Sequence, residues 1–123
     1  MASFRLTQAA EADIVAALAW SRAQFGEAAG RRYEHLIITA MREVAASPGG
    51  VGSVARPELG LDVRSWHLRR SRDRAWTPDG VVARPRHLLI YRPLSSDLIA
   101  IGRLLHDSME LTRHLQAPDL WDR

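Results

Sequence analysis

Among the side chains able to move a proton, His67, His87 and His106 are the candidates for chemistry, with Tyr91 as a further acid; Arg64, Arg69, Arg70 and Arg103 are the candidate cations. Cleaving a ribose phosphodiester needs such a set: a base for the attacking hydroxyl, an acid for the leaving oxygen, and cations for the phosphate charge. Spacing does not gather them. His87 and Tyr91 lie four residues apart in an apolar run that reads as a strand, so they share a face but stand roughly 13 Å apart, too far to cooperate. Lysine is absent, all seventeen basic residues being arginine, and no compact acid–base–cation cluster is legible. A buried tyrosine with one hydrogen-bonded hydroxyl accounts for Tyr91, and a structural hydrogen bond accounts for His106. His67 fits either role.

Other chemistries have less behind them. His35 stands alone on a helix, and no histidines and carboxylates fall at a ligand spacing, so neither a metal nor a cofactor is expected. Gly49, Gly50 and Gly52 follow a helix instead of opening one after a strand, the wrong context for a phosphate loop. The chain has no cysteine, which fits a reducing compartment. No run approaches the ~20 apolar residues of a membrane span, and Met1–Arg5 lacks the apolar stretch of a leader. A soluble, cytoplasmic protein is expected, with residues 1–123 forming one domain.

Charge is distributed unevenly. The net charge is +3, yet Arg56–Arg92 holds nine arginines against four acids, while the remainder holds eight against ten. Guanidinium forks bind carboxylate and phosphate alike, so this segment suits an acidic protein or a nucleic acid. Arg69, Arg70, Arg72 and Arg74, with Trp76 among them, are its candidate contacts. A solvated edge hairpin explains the same run without any partner.

The elements that must position these residues follow from periodicity. Phe4–Thr7 alternates as a short strand. Gln8–Phe25 is a helix with Ile14, Leu18, Ser21 and Phe25 on one stripe beside Ala17; Thr7 is its N-cap and Gly26 its stop. Glu27–Ala46 is a second helix, with Ala29, Tyr33, Leu36, Ile37, Ala40, Met41 and Val44 at three-or-four spacing, ended by Ser47-Pro48-Gly49-Gly50. A one-residue connection folds the two into an antiparallel hairpin. Leu61–Arg69, Arg86–Arg92 and Leu98–Leu104 read as strands, with Arg70–Gly80 either prolonging the first or forming a long hairpin arm that turns at Thr77-Pro78-Asp79-Gly80. Asp107 and Glu110 resemble a capping box for a short C-terminal helix anchored by Leu111 and Leu115. The expected fold is α/β (α+β), the helical hairpin covering one face of a mostly antiparallel four-stranded sheet.

Several stretches resemble the ParE branch of the RelE/ParE toxin superfamily: Leu6-Thr7 with Ala10 to Ile14, Phe25-Gly26, Tyr33, Ser47-Pro48-Gly49, Val63-Arg64-Ser65, His87 to Arg92, and Ile101 to Glu110. The resemblance spans nearly the whole chain and departs at the arm Arg69–Pro85, which is longer than in the plainest members. It implies a plasmid-stabilising toxin of a type II toxin–antitoxin system that poisons DNA gyrase by binding it and is held inactive by a ParD-like antitoxin. On that implication the target contacts are Arg69, Arg70, Arg72, Arg74, Trp76, Arg103 and His106, with no catalytic residue. The alternative is the RelE branch, a ribosome-dependent mRNA endonuclease using His67, His87, His106 and Tyr91. A basic nucleic-acid-binding module ranks third, and direct binding of nucleic acid is not expected.

Overall fold

The computed structural model describes residues 3–123. In chain order it contains β1 (Ser3–Leu6), α1 (Gln8–Phe25), α2 (Glu27–Ala46), β2 (Val54–Ala55), β3 (Arg64–His67), β4 (His87–Ser95) and β5 (Leu98–His106). The sheet runs β1-β5-β4-β3-β2; β1 pairs with β5 in parallel and the other pairs are antiparallel.

Both helices have the bounds that periodicity sets. Thr7 caps α1, its hydroxyl accepting from the Ala10 N–H at 3.1 Å while donating to the Gly102 carbonyl at 2.7 Å, so one side chain fixes the helix start against the sheet. Gly26 separates the helices at φ +94°, a conformation that favours glycine. Every residue expected on the inner stripe of α2 is buried. The stripe of α1 is narrower than expected: Ala10, Ala17, Leu18 and Ser21 are buried, but Phe25 is 69% exposed. At the closed end of the hairpin its ring has no sheet beneath it and meets Trp20 edge-on, centroids 5.6 Å apart.

β4 and β5 are central and covered on both faces. Leu89, Tyr91, Ile99 and Ile101 join Leu36, Ile37, Ala40 and Val44 beneath the hairpin. On the other face Val63, Leu88, Ile90 and Leu105 lie under Leu59, Leu111, Leu115 and Trp121. Pairing steps from Ile90↔Arg103 to Tyr91↔Ile101, leaving Gly102 as the extra residue of a bulge. A Cβ there would lie 2.6 Å from the Trp121 ring, so the glycine makes room for the C-terminal segment.

Four details depart from the sequence reading. The sheet has five strands, because the chain after α2 adds the two-residue β2 at one edge. β3 spans only Arg64–His67; Leu61 is exposed in a turn and Arg69 lies in a 3₁₀ turn. Arg70–Gly80 neither prolongs β3 nor projects as a hairpin. It folds through 3₁₀ turns at Leu68–Arg70 and Arg72–Arg74 onto α2, held by the Arg74–Glu43 pair and by Arg31 and Arg32 on Asp79. The Thr77–Gly80 turn itself forms, with Gly80 at φ +96°. Finally, Asp107 caps no helix: its carboxylate is engaged by Arg86 and His67, and the C-terminal segment forms 3₁₀ turns at Leu111–Leu115 and Leu120–Asp122.

Candidate functional site

Strand pairing gathers what linear spacing kept apart. The β4–β5 register sets His87 opposite His106, their rings 5.4 Å apart and nearly perpendicular. The β3–β4 register places His67 opposite Leu88, within reach of Asp107. Tyr33 comes down from α2 onto His87, hydroxyl to Nδ1 at 2.5 Å, and Arg86 closes bidentately on Asp107 at 2.9 to 3.2 Å. The end of the sheet thus carries three histidines, a tyrosine, a carboxylate and a guanidinium. Spacing could not show this cluster, because it is made across strands.

Its protons are assigned by its hydrogen bonds. Burial pushes the Tyr33 phenol up to about 12, so the hydroxyl stays protonated; it accepts the Arg86 N–H at 3.3 Å and donates to His87 Nδ1. Burial, with His106 beside it, lowers His87 to about 4 and keeps the ring neutral. A neutral ring that accepts at Nδ1 carries its proton on Nε2. His106 follows the same pattern, its Nδ1 accepting the Ser108 N–H at 3.1 Å. His67 does too: Nδ1 accepts the Arg69 N–H at 3.1 Å, and Nε2 donates to Asp107 at 3.0 Å. The guanidinium of Arg86, then His67, hold the Asp107 carboxyl well below the usual carboxylate range. As neutral rings, all three histidines are therefore donors at Nε2. Among the described residues no buried side-chain nitrogen lacks a partner, so the unpaired Nε2–H groups of His87 and His106 open onto solvent.

Both rings line a cavity of about 500 Å³ between the closed end of the hairpin, the segment Asp79–Arg86 and the ends of β4 and β5. Trp20, Phe25, Tyr33, His87 and His106 give it five rings, with Arg32, Arg84 and Arg86 at its edge. A second, open cleft of about 500 Å³ adjoins it through Ala83 and Arg84 and is lined by Arg69, Arg70, Arg72 and Arg84 with Pro85.

The remaining candidates lie elsewhere. Tyr91 is fully buried under the hairpin, its hydroxyl bonded to Ser53 Oγ and the Pro48 carbonyl, both at 2.5 Å, and Arg64 donates to the same Ser53 at 2.7 Å. Arg103 forms a bidentate pair with Asp13 at 2.7 and 2.9 Å and also donates to the His114 carbonyl, so its fork is occupied inside the fold. Arg74 is tied to Glu43. Trp76 is 70% exposed. Sequence reasoning missed Tyr33, Arg86 and Asp107 as members of the cluster. For Arg86 and Asp107 the signal was the symmetry of Arg86-His87 and His106-Asp107 about the Ser96-Asp97 turn. Among the described residues no group of three or more histidines and carboxylates is arranged to hold a metal, and no helix is long and apolar enough to cross a membrane.

A helical hairpin on a mostly antiparallel five-stranded sheet is compatible with the RelE/ParE fold. More specifically, the family of the ParE toxin of type II toxin-antitoxin system, parDE, matches residues 4–111, and the chain belongs to that family. It is a toxin of a type II toxin–antitoxin system, and its family implies an antitoxin partner. No curated protein matches the chain.

Proposed function

We propose that the chain stops growth by binding DNA gyrase and is neutralised by a ParD-like antitoxin. The observation that carries the binding reading is the proton arrangement at the sheet end: His67, His87 and His106 each accept at Nδ1, so as neutral rings none presents a free base at Nε2. With lysine absent and Arg103 held by Asp13, the elements of base-catalysed RNA cleavage are missing. Target contact falls to the outer face of the arm, Arg69, Arg70, Arg72 and Trp76, with His106 beside it; Arg74 and Arg103 hold the arm and the strand end in place. The apolar cavity with arginines at its edge suits the acidic, amphipathic tail of an antitoxin that folds on binding, its charges steering encounter.

The RelE-type reading has one observation in its favour: β-pairing does bring His87, His106 and Arg86 together. Induced expression followed by a supercoiling assay with purified gyrase, run beside mRNA cleavage on purified ribosomes, decides between the two. Gyrase inhibition that survives single replacement of His67, His87, His106 and Tyr91 but falls on charge reversal at Arg69 and Arg70 is the expected result. Ribosome-dependent mRNA cleavage abolished by one histidine replacement in a folded variant would overturn it.

A further inference from the structure

The geometry points to a nucleotide-binding site at the sheet end: a base held among the rings of the cavity and its phosphate held between Arg69, Arg70 and Arg84 of the adjoining cleft. This goes against the expectation from sequence and stands independently of the cellular target. The two cavities share Ala83 and Arg84, so a ligand can enter both at once. The first is lined by the exposed indole of Trp20 and ring of Phe25, packed edge-on, and by Tyr33, His87 and His106, each edge-on to the next. Flat rings take a base by stacking, and the Nε2–H donors of the two histidines match the acceptors on a base edge, ring nitrogens in adenine and carbonyl oxygens in thymine.

The second cleft supplies charge and nothing to compensate it. Among the described residues Arg69, Arg70 and Arg84 have no carboxylate within ion-pair distance; of the four arginines only Arg72 does, on Asp73. The cleft is also preorganised. Arg72 Nε donates to the Val82 carbonyl at 2.8 Å, tying Ala83 and Arg84 beside the 3₁₀ turns, and the stem of Arg70 lies against Gly52, whose absent Cβ would meet it at 3.1 Å. Three unpaired guanidiniums lining one cleft exceed what a single peptide carboxylate neutralises; they suit a phosphate, whose oxygens accept several forks. A purely acidic peptide satisfies the cleft alone and an amphipathic one must span both with separate side chains, whereas a single nucleotide reaches both through its base and its phosphate. A partner tail lying over the cavity would exclude it, so neutralisation and nucleotide binding compete.

The source is either a free mononucleotide or a residue of a single strand, and two probes separate them. The purified full chain is titrated with adenosine 5′-monophosphate by calorimetry and with a labelled thymidylate dodecamer by anisotropy, at two salt concentrations, with decaglutamate as the acidic control. Saturable binding of either nucleotide probe is expected, by AMP if the ligand is free and by the dodecamer alone if it is a strand. Trp20→Ala should weaken binding about fivefold or more. Arg69→Ala with Arg84→Ala should weaken it about tenfold or more and reduce the log–log salt slope for the dodecamer by about 0.7, for the one phosphate that the cleft holds. Arg113→Ala, on an exposed cation paired with Glu110, should leave it within about twofold. These are surface positions, and an unchanged circular dichroism spectrum confirms the fold. Absence of saturation by both nucleotide probes, equal weakening by Arg113→Ala, or tighter binding of decaglutamate with the same sensitivity to the variants would each overturn the assignment.

Discussion

Replacing Asp13 with alanine tests how the strand end that carries His106 is held. Asp13 reaches from α1 to the bulge in β5, accepting both arms of Arg103 at 2.7 and 2.9 Å and the Leu104 N–H at 3.0 Å. The side chains are 17% and 21% exposed, so the pair is largely withdrawn from water. Breaking such a pair from one side costs about 3–5 kcal/mol, and a stranded backbone donor costs about 1–3 kcal/mol. The remaining water contact of Arg103 and its bond to the His114 carbonyl offset part of that sum and leave about 3 kcal/mol. For a chain of this length that lowers Tm by about 10–15 °C. Urea unfolding of Asp13→Ala, Arg103→Met and the double variant measures it. The double variant should cost at least about 1.5 kcal/mol less than the sum of the singles, because removing both partners strands neither charge. A loss below about 1 kcal/mol for Asp13→Ala, or strict additivity, refutes the reasoning.

Three further outcomes follow from the same geometry. Because the folded protein holds His87 at about 4 against an ordinary value of 6.5, the unfolded chain takes up that proton first. Stability is therefore complete above about pH 6.5 and falls as pH drops toward 4, by about 2 kcal/mol after allowance for solvent at a half-buried ring; His87→Gln should flatten that window in pH-dependent urea melts, whereas the loss linked to Asp107, whose carboxyl is depressed, begins as pH falls into the ordinary carboxylate range and should remain. Gly102→Ala should cost about 1–3 kcal/mol by driving a methyl into the Trp121 ring, and most of that should return in a Trp121→Ala background, read by thermal denaturation. Tyr91→Phe should cost about 1–2 kcal/mol, since it leaves Ser53 and the Pro48 carbonyl short of a partner, while toxicity on induction stays intact; loss of toxicity in a folded Tyr91→Phe variant would return that hydroxyl to the chemistry.

The sequence by itself determined the elements and most of the core. Tyr33, Leu36, Ile37 and Val44 were legible because helical periodicity is a property of neighbouring residues, and Thr7 and Gly26 because capping acts within a few residues. The apolar runs of β4 and β5 announced strands covered on both faces for the same reason. What only the tertiary structure decided is register. One bulged residue, Gly102, shifts the pairing of β4 with β5, sets His87 against His106 and delivers Asp107 to Arg86 and His67 instead of to a helix cap. The arm was misread for a related reason. Its arginines look like a projecting charged hairpin until Glu43 and Asp79 are seen to fold it onto α2, leaving Arg69, Arg70 and Arg84 as the unpaired side of the cleft. Contacts between residues about twenty or more apart depend on how strands slide and loops close, and local pattern holds no record of either.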